Sequence, residues 1–553
     1  MVRQYNEDEV QQAHDRVYEE GRVAPEQCLP LGISAAEFAN ILNEFRAVVG
    51  GDQVHTGKSL LHFSDPFNLD TNNFPSAAIC PNSVEQIRQI LCVANVRLCP
   101  LWVVSRGKNL GYGGPSPRVR GSVILSLYRM DRIIEVNEKS AFAVVEPGVT
   151  FFDLYSYCRN NKLALWPSVP AIAWGSVVGN TLDRGFGYTA NGDHQNFICG
   201  MEVMMPNGEL IRTGQWAVEN GASAFHCKAG FGPQMDGLFL QSNLGIVTKL
   251  GISIQPQPET TMAISLDFDH PEDLGDLTEV IAELRRRDIL QNDPSFFNVT
   301  RRISRLAPRH TLYNGSGAIP GDLITEIMKQ QGWGYWKAWF NFYGSKEMVM
   351  ARLAGVQGVV ASRSPCARIA YRLFEGEGGE KVDPTTIPSE WQPLYAGVPS
   401  ILYASTIDFN TPSGGYGGHM DFSPILPYNA DLTCNWYKDV CEISRKHGFD
   451  SFVGGHGFAK HSVLVHMIMF NRMDKIQMDS AKALWVDLAK KAKEYGLVTY
   501  RTHLDHMDMV QNSYDFNKNA QRRLVETFKD SVDPNGILSP GKSGIWPKKY
   551  RSM

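Results

Sequence analysis

The residues best suited to chemistry stand between Ser105 and Gly114, in the run Ser-Arg-Gly-Lys-Asn-Leu-Gly-Tyr-Gly-Gly. Glycine reaches positive φ freely and carries no Cβ, so a glycine-rich turn can bring several backbone N–H groups against an anion. The segment reads either as a cradle for a diphosphate or as a long hairpin loop with one basic edge. A second stretch, Gly536 to Ser543, fits the pattern G-x-x-x-x-G-K-[ST]. A nucleotide-binding P-loop of that pattern needs a strand before it and a long helix after it. Pro547 follows closely and no such helix is expected, so the match is set aside. There is no G-x-S-x-G nucleophile elbow and no H-E-x-x-H. The ten cysteines are scattered without C-x-x-C spacing, so reduced thiols and no metal site are expected.

The elements that must position the glycine-rich loop are short. Two β-rich runs flank it, Pro100 to Val104 and Gly121 to Leu127. From Ala77 to about Gln255 apolar runs alternate with helices, including Val84 to Asn95, Ala141 to Glu146 and Phe151 to Asn160, which is a mixed α+β pattern. Gln255-Pro-Gln-Pro then opens a different texture: strands at Met262 to Phe268 and Trp336 to Tyr343, helices at Pro271 to Arg287 and Lys346 to Val360. This second α+β unit runs to an amphipathic helix at Ala481 to Tyr495, and a further helix follows at Asp515 to Lys529. The stretch from Glu375 to Pro393, rich in Gly, Pro and charge, is the expected mobile loop.

A chain of 553 residues with 43% hydrophobic and 20% charged residues exceeds one compact core, so two or three domains are expected. The formal charge of -4, without a basic block, argues against nucleic acid or an anionic membrane surface as partner. The charged N-terminus lacks the apolar core of a secretory signal, and no run is long enough to span a bilayer, so an intracellular, soluble (cytoplasmic) protein is expected. Its ligand is expected to be small.

The loop is followed in order by V-E-P-G-V-T (Val145 to Thr150), W-G-S-V-V-G-N-T-L-D-R-G-F-G-Y (Trp174 to Tyr188) and N-G-D-H (Asn191 to His194). Then come M-P-N-G-E-L-I-R-T-G (Met205 to Gly214), the segment Phe231 to Lys249, T-Y-R-T-H-L (Thr499 to Leu504) and D-P-N-G-I-L-S-P-G-K (Asp533 to Lys542). This ordered series resembles the vanillyl-alcohol oxidase and 4-cresol methylhydroxylase family of flavoproteins. The resemblance implies an α+β fold. A helical lead-in (1–75) precedes a two-subdomain FAD-binding domain (76–255), a cap or substrate domain (256–495) and a C-terminal segment returning to the first domain (496–553). It further implies that Ser105, Arg106, Gly107, Lys108, Asn109, Leu110 and Gly111 hold the diphosphate of FAD. Ser176, Gly179, Asn180, Asp183, Gly187, Ile246, Val247 and Lys542 would line the rest. At the substrate end the matching residues are Tyr112, Tyr500 and Arg501, which in this family bind a para-substituted phenol as its phenolate. Tyr188 would lie beside them, or serve only as a packed aromatic.

The chain departs from the family pattern in two places. Where relatives carry an aspartate after Val-Pro, Ala171 follows Val169-Pro170, and the next residues are Ile172-Ala173-Trp174-Gly175-Ser176, in which Trp174 would narrow the pocket. Ungapped alignment on Phe470-Asn471 puts Leu464 at the position that links covalently to the flavin, and Phe67 replaces an assisting histidine, so non-covalent FAD is expected. His466 shares a strand face with Leu464. It is a candidate for a shifted linkage, for a pocket acid or base, or for a buried structural histidine, and His461 is a lesser candidate for the linkage. The resulting expectation is an FAD-dependent oxidase of a small para-substituted phenolic or related aromatic compound, by hydride transfer to flavin N5 through a quinone methide. Dioxygen or an electron-acceptor protein would be the partner, in a homodimer or higher homo-oligomer. The alternative is a non-redox isomerisation or cyclisation on the same fold.

Overall fold

The structure, a computed structural model, describes residues 28–65, 73–411 and 417–551. Phe67 and the N-terminal lead-in up to residue 27 lie outside the described residues. Three sheets organise the chain. The first has four strands in the order Val54–His55, Ala77–Ile79, Val123–Ser126, Leu101–Val104. Its last two pairings are parallel, and helices Ala35–Val49 and Val84–Arg97 cover it. Ser34 and Ser83 cap those helices by accepting from the backbone N–H three residues on. The glycine-rich loop leaves the C-terminal end of Leu101–Val104, where a parallel strand ordinarily presents a ligand.

The second sheet is antiparallel, in the order Ile133–Asn137, Phe142–Val145, Ile246–Ser253, Ile198–Met204, Leu210–Arg212. Helix Phe151–Asn160 packs on it through Phe151, Leu154 and Cys158, and its start is a capping box of Thr150 and Asp153. The short helix Val177–Leu182 follows, with Ser176 as its cap.

The third sheet is antiparallel, with seven strands in sequence across it, Arg368–Glu375, Thr260–Phe268, Trp336–Gly344, Ser295–Asn298, Phe452–Gly457, His461–Asn471 and Gly417–Phe422, while Ile425–Pro427 also pairs with His461–Asn471. Helices Leu274–Arg286, Lys346–Arg363, Ala430–Lys446 and Lys475–Glu494 bury one face of it in the largest core of the molecule. The other face turns toward the first two sheets. The chain then returns to the first sheet. Leu101 N–H donates to Ile537 O at 2.7 Å, Ser539 N–H donates to Leu101 O at 2.7 Å, and the buried Lys529 ammonium is held by Asp533 and by the carbonyls of Asn243 and Leu538.

The Glu375 to Pro393 stretch forms short 3-10 turns and buries Val382 and Ile387 in a cluster with Trp166 and Tyr343. One sequence expectation needs correction. The last helix of the cap begins at Lys475 rather than Ala481, because the Asp474 side chain caps it by accepting from Gln477 N–H.

Candidate functional site

One long cleft runs between the first two sheets and the exposed face of the third, and the glycine-rich loop forms one end of it. Gly107 and Gly111 adopt φ of 66° and 80°, which lets the loop fold back on itself. Ser176 Oγ accepts from Gly179 N–H at 2.8 Å and donates to Ser105 Oγ at 2.9 Å, so loop and helix start are tied together. A Cβ on Gly179 would run into Ser105 Oγ and lie 2.9 Å from Ser176 Oγ, which marks a place where bare backbone is required. Ser105, Gly107, Lys108, Asn109, Leu110, Ser176, Gly179, Asn180, Asp183, Ile246, Val247 and Lys542 all line the cleft. Arg106, Gly111 and Gly187 do not. Arg106 Nη1 donates to Gly148 O at 3.3 Å, Gly111 leaves room for the His419 ring, and Gly187 packs against Ser168 and His194. Their contribution is to the shape of the wall.

Asp183 is the junction between this end and the next. Its carboxylate accepts from Asn109 Nδ2 at 2.5 Å and faces Lys542 Nζ at 3.5 Å and Arg501 Nη2 at 3.7 Å. Burial pushes its pKa up, but Lys542 and Arg501 outweigh burial and hold the carboxyl below its ordinary range. Arg501 Nη2 also donates to Asn109 Oδ1 at 2.6 Å, and the guanidinium lies 4.1 Å from the Tyr112 ring and 6.0 Å from the Tyr500 ring. Burial pushes Tyr112, Tyr188 and Tyr500 above the usual phenol range, so all three remain protonated and act as hydrogen-bond donors. Burial disfavours the charge on Arg501, yet the guanidinium stays protonated, with the Asp183 carboxylate beside it and a hydrogen bond to Tyr500. Two O–H donors beside a fixed cation are a donor set suited to an oxyanion.

The third sheet supplies residues that the sequence alone did not reveal. His419 and Asp421 on Gly417–Phe422 face the cleft, 3.7 Å apart. Asp421 bears on Tyr112, and its Oδ1 has no hydrogen-bond partner among the described residues. Phe186, His456, Arg301 and Tyr403 complete the wall, together with Val465 and Met467 of His461–Asn471. Alternation along a strand explains the correction that follows. Leu464 and His466 do share a face, but it is the opposite one, packed under the helices. Trp436 Nε1 donates to His466 Nε2 at 2.9 Å, and burial pushes His466 down to about 3. His466 is therefore a neutral core histidine and not a pocket acid, base or linkage. His461 stacks on Phe458 at 5.0 Å, away from the cleft lining. Trp174 also lies outside the lining. It packs with Leu110 and Ile401 under the Lys108 ammonium, 3.9 Å from its ring, so it does not narrow the pocket. Ala171 does line the cleft and offers only a methyl group.

The donor set fits FAD at the loop end. Bare glycine backbone and two serine hydroxyls match an anionic diphosphate, Lys542 adds a cation beside Asp183, and the apolar Ile246 and Val247 edge suits a flat ring system.

Comparison with known proteins agrees. Residues 75–214 match the family model of an FAD binding domain, and residues 416–543 that of the C-terminal domain of FAD linked oxidases. The chain is 30% identical to the 4-cresol dehydrogenase [hydroxylating] flavoprotein subunit of Pseudomonas putida, over 94% of this chain and 97% of that one. It is 27% identical to the 1'-carboxy-chondrochloren decarboxylase of Chondromyces crocatus, over 92% and 98%. The solved structure of 4-ethylphenol oxidase from Gulosibacter chungangensis, in complex with isoeugenol, superposes with a TM-score of 0.88 at 32% identity, covering 95% of this chain and all of that one.

Proposed function

Because the chain belongs to the p-cresol methylhydroxylase-type family of FAD-linked oxidoreductases, we propose that it oxidises a para-substituted phenol at the benzylic carbon. The observation that carries the reading is the buried Arg501 guanidinium with Tyr112 and Tyr500 at one side of a cleft whose other end is the dinucleotide cradle. FAD, when bound, supplies a hydride acceptor. Arg501 stabilises the phenolate, and the two tyrosines donate to its oxygen, so that ring electrons are available to the para carbon as hydride departs. The substrate is left as a quinone methide. Ala171 puts no base beside it, so its fate depends on water access and on the para substituent. Asp183 and Lys542 fix Arg501 and the loop in register. Dioxygen or an acceptor protein takes the electrons, and the active form is a homodimer.

We further propose that FAD is held without a covalent bond, since Val465 and Met467 are the cleft-facing groups of the cap strand His461–Asn471. Acid precipitation tests this: yellow colour in the supernatant supports it, and colour in the pellet overturns it. Anaerobic mixing of the holoenzyme with 4-alkylphenols tests the oxidation itself. Bleaching of the visible flavin band is expected. A second reading, non-redox conversion of an aromatic metabolite with the flavin unreduced, is favoured by Ala171 and predicts turnover with no bleaching.

A further inference from the structure

The substrate part of the cleft is lined by a second guanidinium, Arg301, that phenolate binding does not use. Arg301 belongs to the short helix Val299–Ile303, which Asn298 ties to the strand Phe452–Gly457. Asn298 Nδ2 donates to Ser451 O at 2.7 Å, and its Oδ1 accepts from Val453 N–H at 3.3 Å. A Cβ on Gly454 of that strand would collide with Arg301 Nη1, so the glycine opens the slot through which the guanidinium reaches the cleft. There it lies 5.1 Å from the Tyr403 ring and 5.4 Å from the Phe297 ring. The adjacent Arg302 is paired with Asp267 at 3.2 Å, whereas no carboxylate among the described residues pairs with Arg301.

Its surroundings add no negative charge. Burial, and then the charge of Arg301 itself, push His456 down to about 3, so that imidazole is neutral. Tyr188 stays protonated because burial outweighs Arg301. Phe186 bridges the two groups of rings, 3.9 Å from the His456 ring and 6.2 Å from the Tyr500 ring. The substrate part of the cleft thus has aromatic rings between two guanidiniums. A half-buried guanidinium without a counter-ion is a standing cost that an anionic ligand relieves, and a carboxylate matches its fork bidentately.

We propose that the cleft selects phenols whose para side chain carries a carboxylate, bound by Arg301 while Arg501 holds the phenolate. This rests on the reading of the cleft as a phenol site. The test compares 3-(4-hydroxyphenyl)propanoate with 4-propylphenol, titrated calorimetrically into chemically reduced holoenzyme so that no turnover intervenes. Wild type is expected to bind the acid about tenfold to a hundredfold more tightly. Arg301→Met should abolish that preference while leaving 4-propylphenol within about threefold, and Arg301→Lys should restore part of it. Equal weakening of both ligands, or no preference in wild type, overturns the proposal. If neither phenol bleaches the oxidised enzyme while the Arg301-dependent preference persists, the oxidation reading fails and the carboxylate site stands.

Discussion

Replacing Arg501 by methionine keeps much of the side-chain volume and removes the charge expected to hold the phenolate. At about 4 Å and an effective dielectric of about 20, a guanidinium and a phenolate attract by about 4 kcal/mol. Asp183, 3.7 Å from the guanidinium, already draws on that field and repels an incoming anion. Taking about half, or ~2 kcal/mol, gives a shift of about 1.5 units in the apparent pKa of the bound phenol and about a 30-fold slower flavin reduction at neutral pH. The assay is anaerobic stopped-flow with a 4-alkylphenol across the pH range. Arg501→Met should move the midpoint of the pH profile upward by about 1.5 units, its rate recovering as the pH approaches that of the free phenol, about 10. Arg501→Lys, which keeps the charge, should shift it by less than about half a unit. A variant whose rate falls equally at every pH, or falls by less than about threefold, would refute phenolate binding by Arg501.

Four further outcomes are expected. Asp421→Asn removes the carboxylate that bears on Tyr112, and should lower the pKa of Tyr112 and alter the pH profile of reduction while the protein keeps its FAD, as read by absorbance and stopped-flow. Gly179→Ala, whose methyl would enter the Ser105 and Ser176 hydroxyls, should yield folded protein with little bound flavin, as read by the ratio of visible to ultraviolet absorbance. His466→Leu leaves Trp436 Nε1 unpaired in the core and should cost about 1–3 kcal/mol in stability by denaturant unfolding, with flavin reduction unchanged. For His503, burial lowers the pKa, but hydrogen bonds to Asp505 and to Asp65, the latter at 2.8 Å, raise it overall to about 9. The folded value therefore exceeds the unfolded one of about 6.5, and the stabilisation, of order 3 kcal/mol, is complete below pH 6.5 and lost as the pH rises to 9. Melting temperatures at pH 6 and 9 should differ accordingly, and His503→Gln should flatten the difference.

Much of the first two sheets was legible because their helices and strands have strong local signals. Phe151–Asn160 carries its capping box in sequence, and Val84–Arg97 differs from expectation only at its end, as does Trp336–Gly344 of the third sheet. The glycine-rich loop and Arg501 were legible as motifs. The cap wall was not. His419 and Asp421 stand in Gly-Gly-His-Met-Asp-Phe, whose strand character comes from pairing with His461–Asn471 and not from its own residues. Which face of His461–Asn471 meets the cleft depends on register, and a one-residue error inverts it, which is why Leu464 and His466 were expected in the pocket. Arg301 has no signal at all in sequence, since its reach into the cleft depends on the absence of a side chain at Gly454, far away along the chain.

The return of residues 537–539 to Leu101 also sets a schedule for biosynthesis. The Leu101 backbone groups that face Ile537 and Ser539 stay unmatched, and Asp183 lacks first Arg501 and then Lys542, until each of these later residues has left the ribosome. At about 5–20 residues per second, the stretch from Leu101 to Lys542 takes roughly twenty seconds to a minute and a half to synthesise. The loop end of the cleft therefore stays unfinished through the synthesis of the whole third sheet, and the nascent chain carries it open until that later segment docks.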